Sequence, residues 1–220
     1  MTSVAELVAR LRKVDCCAVS DALDSLNLKG VVSGLPQRSG AGRIAGQVIT
    51  VKLGIGVPPG GPPRHLCTTA IENGGSDDVI VVEQRTGVEA GSWGGLLSLG
   101  AKARGIAGVI VEGPARDIDQ SIEMGFAVFA RSLTALTARG RISEQATNVP
   151  VEIGDIVALP GDYVIADRSA VIIVSKAEIG RVLPVAERIA AKEEEMAKHI
   201  SAGQPIGTVM GGNYEHLLDR

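Results

Sequence analysis

The sequence predicts an α/β fold, with a central sheet, covering helices and a long C-terminal helix. Between residues 66 and 130, short apolar runs alternate with segments of helical periodicity, which is typical of a parallel sheet covered by helices. Between residues 151 and 174, short strand-like runs are separated by glycine-containing turns. From residue 177 to 200 the apolar residues return to helical spacing, so this stretch is predicted to form one long helix.

The N-terminal segment is predicted to hold two helices. Ser3 and Glu6 have the spacing of a capping box and precede an apolar helical repeat. Ser20 and Asp21 predict the start of a second, shorter helix. The later elements are predicted as a strand at 46–56, a loop at 58–63, a helical turn or two at 66–71, a strand at 79–82, a helix at 96–104, a strand at 107–111, a helix at 117–124, and strands at 127–130, 151–153, 156–159, 163–166 and 171–174.

Composition and charge limit the class of function. The chain has 220 residues, of which 45% are hydrophobic and 2% aromatic, so its core must be built from aliphatic side chains. Its net charge is −3 and it has no basic block, so the sequence gives no support for binding to nucleic acid or to an anionic membrane surface. The sequence contains no apolar run of about eighteen residues, and we therefore expect no membrane span.

Cysteine usage favours a reduced, cytoplasmic protein. The count of three is odd, and Cys16 and Cys17 are adjacent, which is not the pattern of a disulfide framework. Both vicinal cysteines are predicted to pack in the core. Because there is no Cys-x-x-Cys pair and the histidines are scattered, a structural zinc site is not supported.

The most informative segment runs from residue 91 to residue 117. A glycine-rich turn leads into a predicted helix, whose first backbone N–H groups can receive a carboxylate. A buried strand follows, and a second turn ends in Arg116 and Asp117. A guanidinium grips carboxylates bidentately, and a neighbouring carboxylate suits a hard divalent cation. The segment therefore predicts a site for small anionic organic acids with a metal, although the same pair also fits a surface ion pair and a helix cap.

Other kinds of site find little support. The sequence lacks the glycine fingerprints of nucleotide-binding loops and the G-x-S-x-G elbow of serine hydrolases. Asp167 is predicted to be a turn residue. The acidic run at 193–195 predicts a solvated helix face, with the alternative that one of its glutamates reaches the site of a neighbouring subunit.

The segment GSWGGLLSLGAKARGIAGVIVEGPARDID closely resembles the signature of the RraA-like proteins. The segments VSDALDSLNLKG, AGQVITVK and DDVIVVE resemble other parts of that family's pattern, and practically the whole chain is covered. The family includes metal-dependent class II pyruvate aldolases acting on 4-hydroxy-4-methyl-2-oxoglutarate and related acids, and bacterial regulators of ribonuclease E. The resemblance implies one swivelling β/β/α domain over residues 1–220, assembled as a homotrimer or homohexamer, with residues 177–220 at a subunit interface.

The resemblance also implies roles for individual residues. Arg116 would hold the carboxylate and oxygen of a pyruvate unit, and Asp117 would bind Mg²⁺ or Mn²⁺, partly through waters. Glu193 of an adjacent subunit would join the outer shell of the metal. The active site would thus lie in a cleft between subunits. The substrate carboxylate would be received by backbone amides in the segment Gly94, Gly95, Leu96 and Leu97.

The chain departs from the aldolase pattern at one important position. The aldolases carry an acid just after the Trp-Gly pair, where this chain has Gly95, which has no side chain for proton transfer. Glu83 and Glu112 replace residues that are usually Asp, and Glu112 is a candidate to take over proton transfer. Because Arg116 and Asp117 are both retained, the resemblance favours a metal-dependent lyase, by retro-aldol cleavage or decarboxylation of a small 2-oxo or hydroxy dicarboxylic acid. The alternative is a non-catalytic protein that binds an endoribonuclease.

Overall fold

The computed structural model describes residues 2–57 and 64–211, so the predicted loop at 58–63 and the end of the C-terminal tail lie outside the described residues. The helices are α1 (Val4–Leu11), α2 (Cys16–Ser25), α3 (Thr68–Asn73), α4 (Gly95–Ala103), α5 (Ile118–Met124), α6 (Ile179–Ser201) and α7 (Ile206–Val209). The strands are β1 (Val31–Val32), β2 (Gln37–Ser39), β3 (Ile44–Gly54), β4 (Asp78–Glu83), β5 (Gly108–Ala115), β6 (Ala127–Leu133), β7 (Ser143–Thr147), β8 (Val151–Ile153), β9 (Ile156–Ala158), β10 (Tyr163–Ala166) and β11 (Val171–Val174).

A mixed sheet forms the centre of the fold, and the predicted α/β class is confirmed. Its strands lie in the order β1-β11-β10-β3-β4-β5-β6-β2, and β7 also pairs with β3. Neighbouring strands from β3 to β6 are parallel, whereas the outer strands pair antiparallel. The carboxyl ends of β4 and β5 therefore lie side by side, which is where open α/β sheets place their ligand sites.

The two central parallel strands are covered on both faces, which explains their continuous apolar runs. Val82 and Val111 are fully buried in a cluster that includes side chains of α3 and α4. Val81 and Ile110 point to the opposite face, where they belong to a cluster with the β8–β9 hairpin. The side chains of β5 thus alternate between two cores, and this alternation decides which of them can reach a given site.

The C-terminal helix packs by the stripe that its sequence predicts. The helices α1 and α2 share its apolar cluster with strands β10 and β11. At the rim of this cluster Arg10 donates two hydrogen bonds to Glu187, at 2.8 and 2.6 Å, and joins α1 to α6. None of the helices in the described part of the chain has the length and apolar character needed to cross a bilayer. The buried residues of the α6 stripe are Ile179, Val182, Leu183, Ala186 and Ile189.

The predicted start of the second helix is wrong, because α2 begins at Cys16 rather than after Asp21. Asp15 is its N-cap and accepts a hydrogen bond from Ala18 N at 2.8 Å. A helix that begins there points its first two side chains in different directions. Cys16 is buried as predicted, but Cys17 is exposed, which corrects the prediction that both pack in the core.

Three short strands are absent from the predicted elements. The strands β2 and β7 consist mainly of polar residues, and β1 has only two residues. Each acquires its strand geometry by pairing with a longer strand: β1 pairs with β11, β2 with β6, and β7 with β3. Their own sequences carry no alternating apolar pattern, so only tertiary pairing defines them.

Asp167 lies in the turn between β10 and β11, as predicted, and also holds the start of α2. Its carboxylate accepts hydrogen bonds from Ser169 N at 2.8 Å and from Cys16 N at 3.1 Å. Burial opposes the charged form, but these hydrogen bonds outweigh burial and lower the pKa of Asp167. The charged carboxylate therefore stabilises the junction between the turn and α2.

We predict that Asp167→Asn lowers the free energy of unfolding by about 1 to 2 kcal/mol at neutral pH, because two N–H groups lose a charged acceptor. Since the pKa is lower in the folded state, this stabilisation is present above the unfolded-state pKa of about 3.9 and is lost as the pH falls through the folded value. Urea unfolding of both proteins between neutral and acidic pH measures the difference. The exposed Asp155→Asn is the control, and a pH-independent deficit in Asp167→Asn would contradict the prediction.

Candidate active site

The residues predicted from the segment 91–117 line one cavity. It has a volume of about 590 Å³ and lies beyond the carboxyl ends of β4 and β5. The glycine-rich turn before α4 forms one wall, and the turn after β5 forms another. Six predicted residues line it together: Gly94, Gly95, Leu96, Leu97, Arg116 and Asp117.

Backbone hydrogen bonds fix these two walls against each other. Trp93 pairs with Ala115 as an isolated parallel bridge, and Arg116 N donates to Trp93 O at 2.8 Å. Ser92 N donates to Pro114 O, also at 2.8 Å. A Cβ at Gly91 would lie 2.7 Å from Arg116 Cδ, so a side chain there would displace the Arg116 side chain from its present position.

Asp117 is held in an unusual backbone conformation. Its φ of 54° and ψ of 39° are left-handed, which is uncommon for a residue other than glycine and typical of functional sites. The residue is the N-cap of α5, but its side chain does not bond to that helix. Instead Asp117 Oδ2 accepts a hydrogen bond from Gly95 N at 3.2 Å, at the start of α4. The predicted ion pair is present, with Arg116 Nε 3.2 Å from Asp117 Oδ1.

Three buried polar side chains are connected by hydrogen bonds beside the first turns of α4. Trp93 Nε1 donates to Ser98 Oγ at 2.9 Å, and that oxygen is 2.8 Å from Ser121 Oγ of α5. The indole also stacks on Phe126, with ring centroids 6.2 Å apart. These contacts couple α4 to α5, and therefore set the position of Asp117 relative to the first turn of α4.

The space at Gly95 is already filled by another side chain. A Cβ at Gly95 would lie 1.8 Å from Gln120 Oε1 and 3.3 Å from Asp117 Cβ. Gln120 of α5 therefore covers the start of α4 beside Asp117. A side-chain amide can form hydrogen bonds, but it cannot act as an acid or a base near neutral pH. Sequence reasoning identified the missing acid at Gly95 but not the residue that occupies its place.

Four further residues with ionisable side chains line the cavity and were not predicted. Arg64, His65 and Arg139 come from loops, and Glu144 comes from β7. Their separation in the sequence from the segment 91–117 explains why no local pattern identified them. With Arg116, the cavity has three guanidinium groups against the carboxylates of Asp117 and Glu144, so its formal charge is positive.

Glu144 is held by two donors. Its oxygens accept hydrogen bonds from Cys67 N and from Thr147 Oγ1, both at 2.5 Å. Cys67 is the N-cap of α3 and is left-handed, with a φ of 66°. Burial raises the pKa of the Cys67 thiol well above its ordinary value, and the nearby charge of Glu144 raises it further. The thiol is therefore neutral, and this glutamate braces the wall of the cavity.

The suggestion that Glu112 takes over proton transfer is wrong, because its side chain lies on the other face of the sheet. Glu112 shares the face of Ile110, and its carboxylate pairs with Arg131 at 2.9 Å and accepts from Gly154 N at 2.9 Å. Glu83 has a similar role, since it accepts a hydrogen bond from Glu152 N at 2.6 Å. The two glutamates hold the β8–β9 hairpin beneath the sheet.

The residues around Asp117 fit a water-rich divalent cation. Mg²⁺ commonly takes only one or two protein carboxylates and keeps several waters, and Asp117 is a partly exposed carboxylate facing the cavity. Within residues 2–57 and 64–211, no group of three or more His, Cys, Asp or Glu side chains could hold a metal. The described residues therefore offer fewer than three of these side chains to one ion, and the remaining ligands would have to be water, substrate or another subunit.

Glu193 lies on α6 and is not among the residues that line this cavity. It is half-buried. Burial raises the pKa of Glu193, and the carboxylates of Asp15 and Asp21 raise it further. Its assignment to the site of an adjacent subunit stays a prediction.

The chain matches known proteins over most of its length. The family model described as RraA-like, Aldolase/RraA, matches residues 16–173. A protein of Halalkalibacterium halodurans named "Putative 4-hydroxy-4-methyl-2-oxoglutarate aldolase" is 27% identical over 197 residues, which cover 89% of this chain and 89% of that protein. An uncharacterized protein of Methanocaldococcus jannaschii is 30% identical over 122 residues, but this match spans only 58% of its length and 56% of this chain.

Solved structures show the same fold. An uncharacterized protein from Pseudomonas syringae pv. tomato superposes with a TM-score of 0.84 at 26% identity, over 96% of this chain and 100% of that one. Streptomyces coelicolor RraAS2, described as an unusual member of the RNase ES inhibitor RraA protein family, gives a TM-score of 0.76 at 24% identity, over 88% and 96% of the two chains. At that identity the second likeness concerns the fold alone.

We predict that Ser98→Ala destabilises the fold by about 1 to 3 kcal/mol, because it leaves the buried Trp93 N–H and Ser121 hydroxyl without their shared partner. The chain contains one tryptophan, so intrinsic fluorescence during denaturant unfolding reports directly on this position. The exposed Ser201→Ala at the end of α6 is the matched control. Equal stability of the two variants would show that these hydrogen bonds do not support the site.

Proposed function

This chain belongs to the RraA-like family, and we propose that it is a divalent-metal-dependent lyase that acts on a small 2-oxo dicarboxylic acid or its 4-hydroxy derivative. The reaction is retro-aldol cleavage or decarboxylation, and the product is pyruvate or a close relative. The single observation that carries the proposal is the meeting of Arg116, Asp117 and the first turn of α4 in one cavity.

The charge of the cavity supports an anionic substrate. Three arginines and two carboxylates line it, so a dicarboxylic acid enters a positive environment. The N–H groups of Leu96 and Leu97, in the first turn of α4, have no partner within their own helix and receive one carboxylate. Arg116 binds the same end of the substrate and stabilises negative charge on its 2-oxo oxygen as the carbon–carbon bond breaks.

Asp117 holds the cation, either Mg²⁺ or Mn²⁺. The chemistry that a cation held by Asp117 would supply is Lewis-acid stabilisation of negative charge on the 2-oxo acid. The left-handed backbone and the hydrogen bond from Gly95 N set the direction of the Asp117 carboxylate before any ligand arrives. Arg116 lies beside that carboxylate, so its guanidinium is placed to contact an acid bound next to the cation.

The surface around the cavity supports assembly of subunits. Leu96 is 83% exposed at the cavity rim, and Leu99 and Ile122 nearby are each more than half exposed. Exposed leucine and isoleucine side chains on adjacent helices are typical of a surface that another subunit covers. A homotrimer or homohexamer would cover them and bring Glu193 of an adjacent subunit toward the metal.

We predict that the chain forms pyruvate from oxaloacetate or 4-hydroxy-4-methyl-2-oxoglutarate in the presence of Mg²⁺ or Mn²⁺ and not with EDTA. Arg116→Ala should lower kcat/KM by about 10²-fold or more, because it removes preorganised positive charge. Asp117→Asn should weaken Mn²⁺ binding, measured by titration calorimetry. A coupled pyruvate assay measures turnover, and Arg181→Ala, an exposed arginine on α6, is the control.

Absence of metal-dependent turnover on both acids would contradict this proposal. In that case, capture of an endoribonuclease by the protein, unchanged in Asp117→Asn, would support the regulatory alternative. Wild-type kinetics in Arg116→Ala would separately refute the assignment of that residue.

The side chain of Gln120 leads to a second prediction. Because a Cβ at Gly95 would collide with Gln120 Oε1, an aspartate introduced there can enter the cavity only if that flexible side chain moves. We therefore expect Gly95→Asp alone to raise retro-aldol activity less than the double variant Gly95→Asp with Gln120→Ala. Steady-state rates on 4-hydroxy-4-methyl-2-oxoglutarate measure the effect, with Gln120→Ala alone as the control. Equal rates in the single and double variants would mean that Gln120 does not restrict this position.

A further inference from the structure

We propose that His65 is the proton-transferring residue of this cavity. It takes the hydroxyl proton of a 4-hydroxy-2-oxo acid as the carbon–carbon bond breaks, and returns it to the enolate carbon. The inference rests on the proposed function and deepens it, because it names the group that makes retro-aldol cleavage possible in this chain. His65 lines the same cavity as Arg116 and Asp117.

The reaction requires a base. In retro-aldol cleavage of 4-hydroxy-4-methyl-2-oxoglutarate, the C4 hydroxyl loses its proton, C4 becomes a carbonyl, and the C3–C4 bonding pair stays on C3 as the enolate of pyruvate. Addition of the same proton to C3 completes the second pyruvate, so the atoms and charges balance. Decarboxylation of oxaloacetate has no hydroxyl proton to remove. A base is therefore specific to the first reaction.

The carboxylates of the cavity are poorly placed for this task. Asp117 is engaged by Gly95 N and by Arg116, and in the proposed function it holds the cation. Glu144 accepts hydrogen bonds on both oxygens, from Cys67 N and Thr147 Oγ1. If Glu144 broke these contacts to carry a proton, the N–H of the buried Cys67 would be left without its hydrogen-bond acceptor.

The position beside Asp117 offers no base either. Gly95 has no side chain, and the amide of Gln120 that fills its space does not titrate near neutral pH. The arginines of the cavity remain charged and cannot accept a proton. Of the titratable side chains that line the described cavity, the imidazole of His65 is left.

The ring of His65 is oriented for this role. Nδ1 lies 3.1 Å from the backbone oxygen of Leu66. A carbonyl only accepts hydrogen bonds, so Nδ1 carries the hydrogen and the neutral ring has its lone pair on Nε2. Within the described residues, Nε2 makes no hydrogen bond, and the side chain is exposed to the cavity. The ring can therefore receive a proton without losing an existing contact.

The charged groups around His65 give the cavity a positive balance of charge. The charged groups that share the cavity wall with His65 are Arg64, Arg116 and Arg139, opposed by Asp117 and Glu144. Arg64 is partly compensated by Glu72 at 3.6 Å. This excess of positive charge attracts an acidic substrate into the cavity that His65 lines.

The test compares His65→Gln with wild type on two substrates in the presence of Mn²⁺. We expect cleavage of 4-hydroxy-4-methyl-2-oxoglutarate to fall by about 10²-fold or more, while decarboxylation of oxaloacetate stays within about threefold. The pH dependence of wild-type cleavage should contain an acidic limb that the variant lacks, because a base is active only when it is unprotonated. The exposed His199→Gln on α6 is the matched control.

The possible outcomes separate this inference from the proposed function. Wild type that decarboxylates oxaloacetate but does not cleave the hydroxy acid would overturn the role of His65 and leave the lyase proposal standing. Equal losses on both substrates would indicate a binding role and also overturn the inference, as would a pH dependence that disappears in Glu144→Gln instead. NMR titration of the imidazole supplies a readout without turnover, and its midpoint must agree with the kinetic one. Absence of turnover on both acids would defeat the two proposals together.

Discussion

The pairing of the end of β5 with the turn before α4 is the constraint on which the site depends. These two segments are separated by a complete helix and strand, yet Trp93, Ala115 and Arg116 join them through backbone contacts. Backbone hydrogen bonds in a buried setting are stiff, because an unpaired N–H or C=O there is costly. The Arg116–Asp117 pair therefore faces the first turn of α4 as a consequence of sheet extension, independently of any ligand.

Local strain and glycine content follow from that constraint. The chain turns from β5 into α5 through a left-handed Asp117. A side chain at Gly91 would displace that of Arg116. The same crowding places Gln120 over Gly95. The space that a side chain at Gly95 would occupy is thus filled from the neighbouring helix, by an amide beside Asp117.

The chemistry of the cavity is distributed over distant parts of the chain. Arg116 and Asp117 follow one strand, whereas His65 precedes α3 and Glu144 belongs to β7. In the proposed function this arrangement divides the tasks between two parts of the chain. The segment 91–117 would bind a carboxylate and a cation, and the loop before α3 would supply the group that moves a proton. The positive balance of charge in the cavity suits a dianionic acid, which the low net charge of the chain as a whole does not reveal.

The sequence by itself determined the elements whose patterns are local. Apolar runs at 79–82 and 163–166, the stripe of α6 and the capping box at Ser3 each encode their own structure, because burial of one face or both faces repeats along the segment. The pairing of Arg116 with Asp117 was also visible, since the two are adjacent. Tertiary structure alone decided that α2 begins at Cys16, that β7 exists and that Glu112 points away from the cavity. It also decided that Gln120 fills the space at Gly95 and that His65 lines the cavity. These outcomes depend on contacts between residues far apart in the chain, on which face of a strand a side chain occupies, and on space that a distant side chain fills first.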